Sequence, residues 1–555
     1  MNRFNSTASG DRTVVSLLGI AAAVMLSACA APAAKPNQAE ADDNKLQIDS
    51  GWLQGYSEGG ISSFKAIPYA QPPIGELRWQ PPQPADSWPD VRDATAFGPS
   101  CVQPGIPRAS VYYDPLDNMS EDCLSLNIWA PDNAENEPVI VWIHGGSLTT
   151  GGAAQPLYDG TPFAQHGTVF VSINYRLGVL GWLAHPELSK ESGDNRSGNY
   201  GLLDQIAALE WVQDNISEFG GDANNVTIMG ESAGALSVSY LLSSPLADDL
   251  FDKAILQSVN SRAFPALRDS TFGIASAESI GSDLLTQLDI PDLEAARSVD
   301  ADTLVTQARR ARFVSQGTID GDILPRQIVD QLDKNSPSVP ILAGFNSGEA
   351  RTYKAFLPKA PGNAQAYDNE IKFRYGDLAN EFLALYPGDD IAESMQAALR
   401  DAIFGWATER IVQGATSNGQ PSYFYLFDYC YPSAREAGLC AFHASELPFV
   451  FADPDGERLK PSWPSPDGAA DRQISDAMLD YWTSFAATGT PHSDYGPDWQ
   501  PYQNEESYLH IGETLALERN PIPGMLELHE KLVQERKSMD QSWFADIGLA
   551  AKPRQ

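Results

Sequence analysis

The pentapeptide Gly230-Glu231-Ser232-Ala233-Gly234 sets a serine between two glycines, after the apolar run Asn225-Val-Thr-Ile-Met229 and before a segment of helical character from Ala233 onward. A G-x-S-x-G turn between a strand and a helix bends the chain sharply and exposes the serine hydroxyl, so that it can act as a nucleophile. The pattern alone is weak, because average glycine and serine usage gives roughly 0.2–0.3 chance matches in a chain of this length. A second device strengthens it. His144-Gly145-Gly146-Ser147 follows an earlier apolar run, and backbone N–H groups presented there can stabilise the oxyanion of an acyl-transfer intermediate.

Elements able to position such groups recur along the chain. Residues 138–143 and 168–173 are continuous apolar runs, ending at His144-Gly145-Gly146 and at Asn174-Tyr175-Arg176. They suit parallel strands buried on both faces. Residues 200–219 carry an apolar stripe at helical spacing (Leu202, Leu203, Ile206, Leu209, Trp211, Val212, Ile216). Residues 254–257 and 339–343 add two more strands, and residues 264–335 between them are expected to form inserted helices beside the sheet. Alternation of this kind implies an α/β protein with a mostly parallel sheet, helices on both faces, and a site beyond the strands' C-terminal ends.

The chain has 555 residues, 43% hydrophobic and 20% charged, which is close to the globular average and excludes a disordered, collagen-like or coiled-coil protein. At roughly 100–200 residues per domain the length allows three to five domains, yet no repeat or low-complexity linker divides the middle. One large α/β unit with insertions is the expectation, over residues 46–550. Asp and Glu number 73 against 37 Lys and Arg, a formal charge of −36. Without a basic face to replace counterions, nucleic-acid binding is excluded.

Several further segments resemble the type-B carboxylesterases, the cholinesterase-like branch of the α/β-hydrolases, from about Leu46 to Ala545. They include Phe64-Lys-Ala-Ile-Pro-Tyr-Ala-Gln-Pro-Pro-Ile-Gly-Glu-Leu-Arg-Trp79, Glu121-Asp-Cys-Leu-Ser-Leu-Asn-Ile-Trp129, Asn174-Tyr-Arg-Leu-Gly178, Gly198-Asn-Tyr-Gly-Leu-Leu-Asp204 and Phe219-Gly-Gly-Asp222. The resemblance implies an α/β-hydrolase fold, hydrolysis of carboxylic esters through an acyl-enzyme on Ser232, and no metal or cofactor. It also implies an oxyanion hole from the N–H groups of Gly146, Ser147 and Ala233. The family's loop is usually Gly-Gly-Gly or Gly-Gly-Ala, so Ser147 is a mild departure that keeps the donor but narrows the pocket.

Triad order in these hydrolases is serine, acid, histidine. Of seven histidines, four follow Ser232: His443, His492, His510 and His529. The last three fall in a Pro-flanked loop, a strand-like segment and a charged helix, and read as surface residues. His443 sits in Cys440-Ala-Phe-His-Ala-Ser-Glu-Leu-Pro-Phe-Val-Phe451, which resembles the family's histidine loop. For the acid, Gly344-Phe-Asn-Ser-Gly-Glu349 resembles the segment carrying a catalytic glutamate. Asp320 and Asp322 compete, but lie in a stretch resembling a non-catalytic one. Two other functions stay open at this stage: an amidase or peptidase using the same triad, and an inactive binding module.

Five cysteines are present. Cys101 and Cys123 match the family's disulfide near the site entrance, and Cys430 and Cys440 remain to pair just before the His443 loop. Arg3 and Arg12 precede an apolar stretch, residues 14–26. It spans about 20 Å as a helix at ~1.5 Å per residue, short of the ~30 Å hydrocarbon core. Residues 1–28 therefore read as an export signal. Leu26-Ser-Ala-Cys29 resembles the bacterial lipoprotein signal, with Cys29 lipidated and the protein held on a membrane, most simply the outer one; cleavage after Ala30 is the alternative. Residues 29–45 read as a flexible tether. Cholinesterases hold choline on a Trp ten residues before the second cysteine of the entrance loop. Here that position is Tyr113, which points to neutral short-chain esters. Oligomeric state is not readable.

Overall fold

Alternate residues along the apolar runs feed two different cores, which fixes a central sheet with helices on both faces. Val139, Val141 and Ile143 join the core on one side, while Ile140 and Trp142 join the other. The same division separates Ile228 from Met229 and Leu256 from Ile255, as the two-residue period of a strand requires. The computed structural model describes residues 44–116, 118–334, 338–466, 468–503 and 505–553. The expected export signal, Cys29 and the expected tether up to residue 43 lie outside the described residues. A strand Lys45–Ile48 already pairs with Gly51–Gln54 at the tether's expected end.

Among the described residues eleven strands form the main sheet. In chain order they are β1 (Tyr56–Glu58), β2 (Ile61–Pro68), β3 (Ser125–Pro131), β4 (Glu137–Ile143), β5 (Val169–Ile173), β6 (Gly221–Glu231), β7 (Lys253–Gln257), β8 (Ile341–Asn346), β9 (Ser422–Phe427), β10 (Ser507–Ile511) and β11 (Leu515–Arg519). Their spatial order is β11-β10-β9-β8-β7-β6-β4-β5-β3-β2-β1. The strands from β5 through β10 pair in parallel, and antiparallel pairs close both ends.

Boundaries shift where a backbone donor is missing. β8 starts at Ile341 rather than Val339, because Pro340 has no N–H to give the ladder; its carbonyl still accepts from Ala254. β8 then runs on through Asn346 and pairs with β9. Helix α1 (Tyr200–Asn215) ends before residue 219, in a 3₁₀ turn Ile216–Phe219 closed by Gly220. Helix α2 (Ala233–Leu241) is buried at every residue, and helix α3 (Ala469–Thr488) covers the opposite face with Met478, Trp482 and Phe485. Between β7 and β8 the helices Ala277–Gln287, Leu293–Ser298, Ala301–Arg310 and Ile328–Lys334 form the expected insertion. Leu284, Leu293 and Leu304 of the first three join Trp79, Leu180 and Tyr200 in a third core. No helix among the described residues is long and apolar enough to cross a membrane.

Candidate active site

Ser232 occupies a backbone conformation that most residues avoid, with φ 56° and ψ −116°. Such strain persists only where the surroundings over-determine it, and here they do. The Ser232 N–H donates to the Gln257 carbonyl at 2.9 Å, which ties the turn to the end of β7. A Cβ at residue 234 would lie 2.0 Å from the Ile143 carbonyl oxygen, and one at residue 230 would lie 2.4 Å from the Gly234 carbonyl carbon. The two glycines therefore let β6 and α2 press against β4 while the serine side chain points into the cleft.

His443 meets this serine from the loop after β9. Its Nε2 lies 2.8 Å from Ser232 Oγ, and its Nδ1 lies 2.5 Å from Glu349 Oε2. Glu349 is wholly buried (0% exposed), His443 is 4% exposed and Ser232 9%. The other carboxylate oxygen, Glu349 Oε1, accepts from Ser258 Oγ at 2.5 Å and from the Asn346 N–H at 2.9 Å. Both oxygens are thus fixed, and so is the carboxylate plane. The loops carrying Glu349 and His443 also touch. The Gly348 N–H donates to the Ala441 carbonyl at 3.0 Å, and Arg351 Nε donates to the Cys440 carbonyl at 3.1 Å. Cys430 and Cys440 form a disulfide with Cα atoms 4.6 Å apart, so the His443 loop is tied to the end of β9. Phe404 stacks on the imidazole at 4.9 Å.

Two more buried carboxylates stand near His443. Glu231 Oε1 lies 3.2 Å from Nε2. Glu446 accepts from Asn346 Nδ2 at 2.5 Å and from Gln257 Nε2 at 3.1 Å. Burial is the main influence on both: it pushes Glu231 up to about 8, against the pull of His443, and Glu446 up to about 7, aided by the charge of Glu349. Burial alone would lower His443, but the charges of Glu231 and Glu349 outweigh it and raise the imidazole to about 9. Sequence reasoning quoted both carboxylates inside motifs and gave neither a role, since nothing local marks a glutamate that will be buried against a histidine.

Gly145, Gly146 and Ser147 line the cleft with Ser232, and Ser147 holds φ 58°. The N–H groups of Gly146 and Ser147 donate to no other group among the described residues. The Ala233 N–H, first in α2, has no acceptor within its helix. Cys101 and Cys123 are bonded, with Cα atoms 5.1 Å apart, and the loop they close sends Ile106, Ser110 and Tyr112 into the cleft. Tyr113 is half-buried and is not among the lining residues; its neighbour Tyr112 lines the cleft instead and donates to the His443 carbonyl at 2.9 Å. The one-residue displacement arises because the loop is irregular, so spacing from Cys123 does not fix which ring turns inward.

The rejected candidates lie elsewhere. Asp320 accepts from Asn199 Nδ2 and from the N–H groups of Asp322 and Leu324, and so braces its own turn. Asp322 pairs with Arg196. His492 is exposed and His510 sits between Asp428 and Glu518. His529 departs from the surface position expected of it. It is buried with Nε2 3.0 Å from the Tyr386 hydroxyl, and burial pushes it down to about 4. No group of three or more His, Cys, Asp or Glu among the described residues is placed to hold a metal ion.

The sequence pattern of the Carboxylesterase family matches residues 42–523. The chain belongs to the carboxylesterase family. A fumonisin B1 esterase of Sphingopyxis macrogoltabida is 37% identical over 517 residues, covering 90% of this chain and 91% of that protein. A para-nitrobenzyl esterase of Bacillus subtilis is 35% identical, over 85% of this chain and 95% of that protein. Among solved structures, a PNB esterase superposes with a TM-score of 0.76 at 33% identity, covering 87% of this chain and 99% of the other. This carboxylesterase therefore has the α/β-hydrolase fold and is a serine esterase that hydrolyses carboxylic esters.

Proposed function

We propose that Ser232, His443 and Glu349 are the nucleophile, general base and orienting acid of this esterase. The observation that carries the reading is the unbroken chain from Ser232 Oγ to His443 Nε2 at 2.8 Å and from Nδ1 to Glu349 Oε2 at 2.5 Å. With its Nδ1–H held by Glu349, the imidazole presents the Nε2 lone pair to the serine hydroxyl and takes its proton as Oγ attacks the ester carbonyl. The oxyanion that forms is received by the N–H groups of Gly146, Ser147 and Ala233, preorganised at no cost when the charge develops. The His443 imidazolium, facing Glu349, then gives its proton to the leaving alcohol, and water repeats the sequence to free the acid. Purified protein should hydrolyse a chromogenic short-chain ester and leave the matched amide almost untouched. Ser232→Ala should lose the ester activity; a variant that kept it would remove Ser232 from the mechanism.

We further infer that the enzyme is exported and lipidated at Cys29. Residues 14–26, followed by Leu26-Ser-Ala-Cys29, support that reading, and two disulfides suit an oxidising compartment.

A further inference from the structure

Ser232 and Ser147 line two cavities, of about 870 and about 860 Å³ with their mouths included. His443, Glu231, Tyr112 and Lys460 line the first. Ala233, Asn260, Arg262, Phe313 and Phe544 line the second. On the proposed mechanism, on which this inference rests, His443 hands its proton to the leaving oxygen. The alcohol group then belongs in the cavity that His443 lines, and the acyl group in the one beside Ala233.

Arg262 is out of keeping with the rest of the molecule. Other inward arginines have carboxylates: Arg78 pairs with Glu121, Arg176 with Asp204 and Arg400 with Asp401. Arg262 has no ion-pair partner among the described residues, in a chain with 73 acidic side chains. Its Nη2 donates to Asn260 Oδ1 at 3.3 Å, and its Nε is buried without an acceptor. The guanidinium carbon lies 4.4 Å from the Phe544 ring centre. Burial lowers its proton affinity, and the groups acting against that are the hydroxyls of Tyr240 and Tyr353, with no carboxylate among them. Lys460 in the other cavity differs, since Asp114 and Glu231 both support its charge.

Arg262 is half-buried, and drawing a cation even partly out of water without a counterion is costly; a guanidinium edge matches a carboxylate with two parallel N–H bonds. We propose that Arg262, assisted by Asn260, receives a free carboxylate on the acid moiety of the substrate, so that the preferred esters are half-esters of dicarboxylic acids. The neutral-ester expectation drawn from Tyr113 concerned the alcohol side alone, and Tyr113 does not line the cleft.

The test compares mono-para-nitrophenyl esters of succinic, glutaric and adipic acid with the same compounds methyl-capped at the free carboxyl, after subtraction of uncatalysed hydrolysis. At least one half-ester should exceed its capped partner in kcat/KM by about tenfold or more, the scale of one charge-assisted hydrogen bond. A smaller ratio for all three acids overturns the proposal. Arg262→Met should bring the ratio to about one, and Arg262→Lys, which keeps the charge and so guards against misfolding, should give an intermediate value. An unchanged ratio in Arg262→Met also overturns it. Capped esters hydrolysed by wild type but not by Ser232→Ala, with no preference for the half-esters, sink this inference and leave the triad standing. Capped esters still hydrolysed by Ser232→Ala sink both.

Discussion

Glu231 adjoins Ser232 in the chain and His443 in space, and its charge bears on when the base is free. His443 must be neutral to accept the serine proton, so kcat/KM rises with pH through the imidazole's pKa. The negative charge of Glu231 raises that pKa. Glu231→Gln removes it, and the acidic limb of the pH profile should move to lower pH by about one unit, measured with an ester that does not itself titrate. A limb that stays in place or moves upward would show that Glu231 does not set the base. Around the triad, Ser232→Ala and His443→Ala should each cost about a millionfold in kcat and Glu349→Gln about a hundredfold less, because the members act as a unit and the orienting acid contributes least; single-turnover assays resolve the difference. The meeting of Ser232, His443 and Glu349 was legible because each sits in a short stretch with its own signature. Ser258, Asn346 and Glu446 were not, since their roles arise from the meeting of three strand ends far apart in sequence.

At the scale of elements, the close passage of β6 and α2 across β4 decides whether the serine is presented at all. Gly234→Ala would press a methyl group into the Ile143 carbonyl, 2.0 Å away. It should destabilise the fold by about 3 kcal/mol, the upper range for overpacking, and lower activity further by letting the turn relax. Gly362→Ala, at an exposed position with open space around it, is the control and should stay within about 0.5 kcal/mol. Urea midpoints at unchanged slope compare the two; equal stabilities would mean that the elbow is loosely packed. The interior strands showed in the sequence because burial on both faces forces an unbroken apolar run. β1, β2 and β9 did not, since the first two sit toward an edge with polar residues interleaved and β9 is largely aromatic, without the aliphatic run of its neighbours. Helix ends were also harder to place, as the 3₁₀ turn after α1 keeps the same apolar faces.

At the scale of the whole molecule, composition excluded nucleic acid but could not set the charge inside the cleft, where single residues such as Arg262 and Lys460 decide. The N-terminal reading has its own test. Several acyl chains at about 0.8 kcal/mol per buried methylene anchor a protein stably where one is marginal, so Cys29→Ser should release the enzyme from membranes or leave the precursor unprocessed. Wild-type enzyme found wholly in the soluble fraction, with a free N-terminus at Ala31, would favour ordinary secretion instead. The insertion between β7 and β8 has a different significance. It leaves the sheet at one strand and returns at the strand beside it, so its length and composition are unconstrained by the register on either side. It carries Arg262 and Phe313 to the cleft, while the acid and the base come from loops beyond it. On the proposed acyl subsite, a lineage can redraw which acids it accepts by rewriting this segment beyond Ser258, which must stay to hold Glu349, while Ser232, Glu349 and His443 are inherited from elements outside it.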